Sequence, residues 1–238
     1  MRKGLLFPEL SRSEINSMKA SEAFFLGLPR RILRRPKKKV FIIGFHKTGT
    51  SSMGKAFQIL GYRVCGNLKE GFDFKKQDKP AEKYIFSKAK TLLPRFDCFQ
   101  DTPWFMFYKE LYEVHPNAYF ILTVRPEENW IQSVVNHFGN RDNSPYHEWI
   151  YGHADPRTNE ETYLQTYQEH NRSVKDFFKH KSNFIVFNLK ENDKWEKLCA
   201  FLGVPEPKIS FPYVNTSKSR NSYYRKLKLQ VKKIYYKR

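Results

Sequence analysis

The strongest constraint on the fold is a short uninterrupted apolar run, Val40-Phe41-Ile42-Ile43, followed directly by a loop that contains Gly44 and Gly49. An apolar run of this length without alternation predicts a strand buried on both faces, as in a parallel sheet. The residues after the loop place Met53, Ala56, Phe57 and Leu60 on one helical face, and Gly61 ends that helix. Strand, loop and helix in this order predict the first half of a βαβ unit.

The same alternation continues along the chain. Further buried strands are predicted at 96–100, 118–124 and 183–187. Helices are predicted from Thr102, with Pro103 in the first turn, to about His115; from Pro126; from Glu160 to Lys179; and from Asp193, as the cap, to Gly203. This order predicts a three-layer α/β domain in which a central parallel sheet has helices on both faces.

Charge divides the chain into three parts. Residues 1–38 form a basic arm, residues 39–214 the predicted folded domain, and residues 215–238 a basic tail whose mixed Tyr, Leu and Lys pattern predicts an amphipathic helix. The formal net charge of +19 favours anionic partners, namely nucleic acid, acidic lipid, acidic glycan or a phosphate-bearing nucleotide. Charge alone does not choose among them.

The cysteines and the N-terminal segment indicate a reducing, cytoplasmic setting. Cys65, Cys98 and Cys199 are odd in number, widely spaced and without a CxxC pair, so buried free thiols are predicted and a zinc site is not. The apolar run Leu5-Leu6-Phe7 ends at Pro8, which is too short for a signal peptide or a spanning helix.

The loop Gly44-Phe45-His46-Lys47-Thr48-Gly49-Thr50-Ser51 is suited to an anion. Backbone N–H groups converge in such a turn, and the start of the following helix adds partial positive charge. The two glycines have the spacing of a Walker A loop, but Thr50 stands where that motif has lysine, and Lys47 lies three places earlier. Because no strand ends in a clear magnesium-binding aspartate, with Asp101 a partial exception, a magnesium-dependent NTPase is disfavoured.

The loop resembles the 5′-phosphosulfate loop of the sulfotransferases that use 3′-phosphoadenosine 5′-phosphosulfate (PAPS), typically P-K-[ST]-G-T-[TS]. A second likeness is Arg125 at the end of a core strand with Ser133 eight residues on, which in that family contact the 3′-phosphate. The late stretch Trp195-Glu196-Lys197-Leu198-Cys199-Ala200-Phe201-Leu202-Gly203 is similar to a bacterial-type branch. Together these cover roughly residues 39–214.

The resemblance implies a P-loop-like 5′-phosphosulfate-binding loop and transfer of a sulfuryl group from PAPS, leaving 3′-phosphoadenosine 5′-phosphate (PAP), with no metal required. It implies that cofactor binding involves Gly44, His46, Lys47, Thr48, Gly49, Thr50, Ser51, Arg125 and Ser133. Lys47 is the expected catalytic cation. Asp101 is either the general base or a turn-forming residue, and His46 is the second candidate for the base.

The chain also departs from the family pattern. Ser52 stands where animal cytosolic sulfotransferases have an adenine-stacking Trp, and only Lys218 and Arg220 are present where those enzymes have an R-K-G turn. Two other functions stay open: a nucleotide-dependent kinase on the same fold, and a basic module that binds a membrane surface or nucleic acid. For a sulfotransferase, we expect a glycan, lipid or phenol as acceptor, peripheral contact with anionic membrane, and no specific nucleic acid.

Overall fold

The computed structural model describes residues 38–69, 73–76, 78–139 and 145–214, together with residues 23, 25, 27–29 and 32. The predicted arm falls almost entirely, and the predicted tail entirely, outside these residues. The five strands of the sheet are β1 (Val40–Ile42), β2 (Val64–Cys65), β3 (Cys98–Phe99), β4 (Tyr119–Val124) and β5 (Phe184–Asn188). Their order in the sheet is β2-β3-β1-β4-β5, and every pairing is parallel.

Seven α-helices accompany these strands in the described ranges. They are α1 (Thr50–Ile59), α2 (Ala81–Leu92), α3 (Tyr108–Val114), α4 (Glu127–Phe138), α5 (Pro145–Tyr151), α6 (Glu160–Phe178) and α7 (Lys194–Leu202). The predicted three-layer α/β fold is confirmed. Strand β2 and helices α2 and α5 were not predicted, because their segments lack a long periodic apolar pattern.

The sheet separates two apolar clusters. Alternate residues of β1 point to opposite faces, so Phe41 joins one cluster and Val40 and Ile42 join the other. Helices α2 to α6 cover the Phe41 face, whereas α1 and α7 cover the opposite face. Strand β1 is fully buried between them, as its uninterrupted apolar run predicted. Its loop therefore leaves the sheet at its centre, between the ends of β3 and β4.

The segment after β3 differs from its prediction. Thr102 does not cap an α-helix: a 3₁₀ helix spans Trp104–Phe107, the cap at Pro103 has no side-chain hydrogen bond, and α3 begins only at Tyr108. The tighter turn of a 3₁₀ helix lets Trp104, Phe105 and Phe107 all reach the core, where each is at most 2% exposed. The Thr102 hydroxyl instead lies 3.4 Å from His46 Nδ1.

Other local predictions are confirmed. All three cysteines are buried, and none of them forms a disulfide. Gly61 (φ +93°) and Gly203 (φ +64°) follow the ends of α1 and α7 in the left-handed conformation. Asp193 stands at the cap of α7, although its carboxylate makes no capping hydrogen bond. Within the described residues, no helix is both long enough and apolar enough to cross a lipid bilayer.

Candidate active site

The loop between β1 and α1 is held against β4 by close backbone approach. A Cβ atom on Gly44 would stand 2.1 Å from Thr123 Oγ1 and 2.2 Å from the Thr123 carbonyl oxygen, so only glycine fits. Gly49 has φ +104°, and a side chain there would also meet Leu189. Both loop glycines are therefore required by the local geometry.

The hydroxyl groups of the loop point in different directions. Thr48 is buried and donates its hydroxyl to the Phe45 carbonyl at 2.6 Å, while its oxygen lies 2.6 Å from Thr123 Oγ1. Thr50 is also buried, whereas Ser51 is partly exposed at the helix start. In the described part of the chain, the N–H groups of Gly49 and Thr50 have no protein acceptor. The loop thus presents backbone donors, with the Thr48 side chain serving as an internal brace.

Lys47 stands in the middle of this loop in an unusual conformation. Its φ is +67°, a left-handed value that non-glycine residues rarely adopt. The residue is partly exposed, so it lies at the surface of the loop rather than in the core. Strain of this kind persists where the surrounding structure enforces it and is frequent at functional sites.

Arg125 follows β4 and lies beside the loop. Its Nη1 donates to the Lys47 carbonyl oxygen at 3.2 Å. Its own backbone is clamped by Tyr167 of α6, whose hydroxyl accepts from the Arg125 N–H at 3.0 Å and donates to the Arg125 carbonyl at 2.8 Å. The structure therefore brings together two basic residues that are 78 positions apart in the chain.

Trp130 of α4 links Arg125 to the loop. Its indole stacks on the Tyr167 ring with centroids 4.2 Å apart, and its Nε1 donates to the His46 carbonyl oxygen at 2.9 Å. Ser133 lies one turn further along α4 and is partly exposed. Arg125 also lines an open groove of about 750 Å³, together with residues of α4 and α6. Arg125 is thus accessible to a ligand as well as held in place.

Asp101 follows β3, on the other side of the central loop. It has φ +74°, and its Oδ1 accepts the Thr102 N–H at 2.9 Å. Burial raises the pKa of this carboxyl, an effect that the Thr102 hydrogen bonds and the positive charge of Lys47 partly oppose. Asp101 is partly exposed and lies within the electrostatic influence of Lys47, and its raised pKa suits a proton acceptor.

His46 is only 3% exposed and is enclosed by polar and aromatic neighbours. Its Nε2 lies 2.9 Å from the Tyr151 hydroxyl, and its Nδ1 lies 3.4 Å from Thr102 Oγ1. Burial, followed by the nearby charges of His147 and Lys47, holds the pKa of His46 well below its usual value. This setting favours a structural role for His46 over that of a base.

Four supporting residues were not singled out from the sequence: Trp130, Tyr151, Tyr167 and His170. His170 of α6 is buried, and its Nε2 donates to the Ile43 carbonyl at 2.8 Å, just before the loop. All four carry a polar tip on an apolar body, and all lie on helix faces that are buried. That combination on an amphipathic helix was the available signal, but nothing in the sequence showed which hydrogen-bond partner each polar tip would reach.

The C-terminal end of the described chain also reaches the loop region. The Val214 N–H donates to Ser52 Oγ at 2.9 Å, and the Tyr213 hydroxyl donates to the Leu189 carbonyl at 2.9 Å. Lys218 and Arg220 lie outside the described residues. Within those residues, no group of three or more His, Cys, Asp or Glu side chains could hold a metal ion.

Comparison with known proteins points to one family. A family model described as a sulfotransferase domain matches residues 39–158 and 143–220. A protein of Aspergillus versicolor named Ava biosynthesis cluster protein M is 25% identical over 235 residues, which cover 82% of this chain and 89% of that protein. The family match spans all five strands as well as the loop, Asp101 and Arg125.

Proposed function

Because this chain belongs to the sulfotransferase domain family, we propose that it transfers a sulfuryl group from PAPS to a hydroxyl or amine of an acceptor. One observation carries this assignment. The central strand β1 leads into the anion loop, while its two neighbours, β3 and β4, lead to Asp101 and Arg125. Ligands of open parallel sheets bind at the carboxyl ends of the strands, which is where these groups lie.

The loop and Arg125 fit a ligand with two anionic groups. Gly49 and Thr50 offer backbone N–H donors at the start of α1, and Lys47 adds a full positive charge. Arg125 offers a second cationic site next to the first, since its guanidinium reaches the Lys47 carbonyl. A nucleotide with a 5′-phosphosulfate and a 3′-phosphate matches this pair, with Ser133 as an additional hydroxyl donor from α4.

In this proposal Lys218 and Arg220 complete the same binding site. They follow Val214 in the sequence, and the Val214 N–H donates to Ser52 Oγ in the first turn of α1. We assign both residues to the 3′-phosphate on this place in the sequence and on their charge.

PAPS would supply a sulfuryl group on a good phosphate leaving group. The acceptor oxygen or nitrogen forms a bond to sulfur as the bond from sulfur to the bridging phosphate oxygen breaks, and PAP leaves with that electron pair. Lys47 and the N–H groups at the start of α1 stabilise the charge that grows on the leaving oxygen. Because the loop is already folded around this position, little reorganisation is needed.

Asp101 takes the acceptor proton. It lies on the β3 side of the loop, opposite Arg125, so the acceptor approaches from the β2–β3 side while the nucleotide lies toward β4. The raised pKa of Asp101 makes its carboxylate a stronger base than an ordinary surface aspartate. The proton passes from Asp101 to solvent after the product leaves.

Transfer can be tested directly with sulfur-labelled PAPS and a panel of acceptors that includes a phenol, an amine, a neutral sugar and an acidic polysaccharide. We expect label to move to at least one acceptor with matching release of PAP. Lys47→Ala should lower that rate about a hundredfold to a thousandfold. Transfer of labelled phosphate from ATP–magnesium, with no sulfur transfer to any acceptor, would favour the kinase instead.

A further inference from the structure

The positive charge of this protein is unevenly distributed. Residues 38–95 contain 13 Lys/Arg and 4 Asp/Glu, whereas residues 96–214 contain 12 Lys/Arg and 17 Asp/Glu. The basic excess of the folded part therefore lies in the stretch of sequence that contains the loop, β2 and α2, and the rest is mildly acidic. Of these elements, β2 pairs with β3, on the side of the sheet from which the acceptor is proposed to approach.

Six exposed lysines follow β2 in the chain, and we call them the basic strip: Lys69, Lys75, Lys76, Lys79, Lys83 and Lys90. The exposed acids Asp73, Asp78 and Glu82 lie between them in the sequence. On α2, Lys83 and Lys90 are seven residues apart, which places them on one face about 10 Å from each other. Lys79 lies four residues before Lys83, just ahead of the helix. Lys75 also pairs with Glu148 of α5.

The basic strip begins next to the catalytic turn. The N–H of Leu68 donates to the Thr102 carbonyl at 2.9 Å, and the Tyr146 hydroxyl donates to the Leu68 carbonyl at 2.9 Å. Lys69 follows Leu68 in the chain. The strip therefore starts one residue after Leu68, which is hydrogen-bonded to Thr102, the residue after Asp101. The first residue of the strip is therefore held close to the turn that carries the proposed base, Asp101.

The composition of the strip selects among polyanions. Among the described residues, the exposed large apolar side chains are Phe25, Ile32 and Val114, and none belongs to the strip. Tyr84 is buried, and the Lys90 ammonium lies 5.3 Å from the centroid of the partly buried Phe86 ring. Among the described residues of 69–90 there are therefore no exposed rings on which bases stack and no exposed large apolar groups that enter acyl chains.

The chain's own terminal segments do not complement this surface. Residues 1–37 contain nine Lys/Arg and three Asp/Glu, and residues 215–238 contain nine Lys/Arg and no Asp/Glu. Like charge disfavours either segment as an occupant. The ligand whose charge complements the basic strip is therefore an extended polyanion from outside the chain, one that carries neither bases nor acyl chains.

We infer that the basic strip docks an acidic polysaccharide, one of whose hydroxyl or amino groups is the sulfuryl acceptor at Asp101. This inference rests on the proposed function, and it names the class of acceptor. Spaced lysines are compact point charges that fit repeated carboxylates or sulfates along a flexible chain. Carboxylate and sulfate repeats offer the same charge pattern to the strip, so both kinds of polymer are included.

Charge reversal of the strip tests the inference in the full-length chain. The strip variant is Lys79→Glu/Lys83→Glu/Lys90→Glu. The matched control, Lys109→Glu/Lys179→Glu/Lys208→Glu, changes the net charge equally at three exposed lysines outside the strip. Affinity is measured for a heparin oligosaccharide and for hyaluronan, with duplex RNA and phosphatidylserine vesicles as the other polyanions. PAP binding is measured for every variant.

We expect the strip variant to bind both polysaccharides at least about tenfold more weakly than the control variant does, with PAP affinity unchanged. Equal weakening by both variants would overturn the inference, because it would show attraction by net charge alone. A larger loss for RNA or for vesicles than for polysaccharide would overturn it as well.

Two results for PAP binding need separate treatment. If the strip variant also loses PAP binding, the milder Lys79→Gln/Lys83→Gln/Lys90→Gln variant replaces it, and the same comparison with a matched Gln control applies. Failure of the wild-type chain to bind PAP would contradict the proposed function. The polysaccharide comparison would then still report separately on the strip, so the two failures are distinguishable.

Discussion

Two residues of the site share a backbone conformation that is uncommon outside glycine. Lys47 (φ +67°) and Asp101 (φ +74°) are the non-glycine residues with positive φ in the described part of the chain. Each follows one of two adjacent strands, and the charge of Lys47 acts on the carboxyl of Asp101. Such conformations cost about 1–3 kcal/mol each, so their coincidence at one site is an argument for function rather than for stability.

At the scale of residues, the sequence predicted the charged residues of the site but not the side chains that contact them. Lys47 and Arg125 were singled out by their places after buried strands, and the structure brings them into contact. Thr48 was also assigned to cofactor binding, and in the structure its hydroxyl braces the loop internally. The enclosure of His46 by Tyr151 could not be predicted, because the two residues are 105 positions apart and no local pattern connects them.

Asp101→Asn separates a base from a turn-former. Asparagine tolerates positive φ and makes the same turn, so the backbone should persist. Turnover should fall about a hundredfold to ten-thousandfold, with PAP binding unchanged. Burial raises the pKa of Asp101, so ionisation opposes folding as pH rises through that pKa, and the Asn variant should melt at the same temperature or higher at neutral pH. An Asn variant that keeps wild-type turnover would rule out the base.

Arg125→Ala tests the second anion site. The variant should weaken binding of PAP far more than binding of adenosine 5′-phosphosulfate, which lacks the 3′-phosphate. A charge-assisted hydrogen bond contributes about 1.5–3 kcal/mol, so PAP affinity should drop by roughly ten- to a hundredfold. Calorimetric titration of both ligands measures the difference. If the two affinities fall equally, Arg125 does not recognise the 3′-phosphate.

At the scale of elements, helices α4 and α6 hold the loop in its conformation. Trp130 from α4, together with Tyr167 and His170 from α6, satisfies carbonyl and N–H groups of the strand ends and the loop. The sequence predicted four of the five strands: β1, β4 and β5 lie in apolar runs of four or more residues, and β3 lies in the mixed run Phe96-Asp97-Cys98-Phe99-Gln100. Strand β2 has two residues, and α2 carries four Lys/Glu on its exposed face, so neither has a pattern long enough to stand out.

Thr123→Val tests the brace between β4 and the loop. The Thr48 hydroxyl donates to the Phe45 carbonyl, so the Thr123 hydroxyl is the donor to Thr48 Oγ1. Valine has nearly the same shape but no hydroxyl, so the free energy of unfolding should fall by about 1 kcal/mol, and PAP should bind more weakly as the loop loosens. Thr123→Ser keeps the hydroxyl and is the control. Stronger weakening of PAP by Ser than by Val would contradict this role for the brace.

At the scale of the whole molecule, the aromatic core contains histidines that must stay neutral. Burial lowers the pKa of His170 to about 4 and holds the pKa of His46 well below its usual value. Both histidines lie against Phe45, which immediately precedes His46 in the loop. The unfolded chain binds protons at these positions near pH 6.5, while the folded chain does not. Stability should therefore be lost as pH falls below about 6.5.

His170→Gln tests this coupling between the core and pH. Each histidine that stays neutral in the fold contributes a loss of about 1.4 kcal/mol per pH unit below the unfolded pKa, whereas Asp101, with its raised pKa, changes stability in the opposite direction. Gln can still donate to the Ile43 carbonyl but does not titrate. The variant should be less stable at pH 7 and show a shallower decline of melting temperature between pH 6 and 5. An unchanged decline would show that His170 is not one of the groups responsible.

The central claim is that the strand ends form a site for a nucleotide with phosphates at both the 5′ and 3′ positions. Titration of the full-length chain with PAP in EDTA, beside ATP with magnesium, tests it most directly. PAP should bind in EDTA and, at a hundred times its Kd, stabilise the fold by about 2.7 kcal/mol, which raises the melting temperature by about 5–10 °C. Binding of ATP–magnesium together with no response to PAP would contradict the claim.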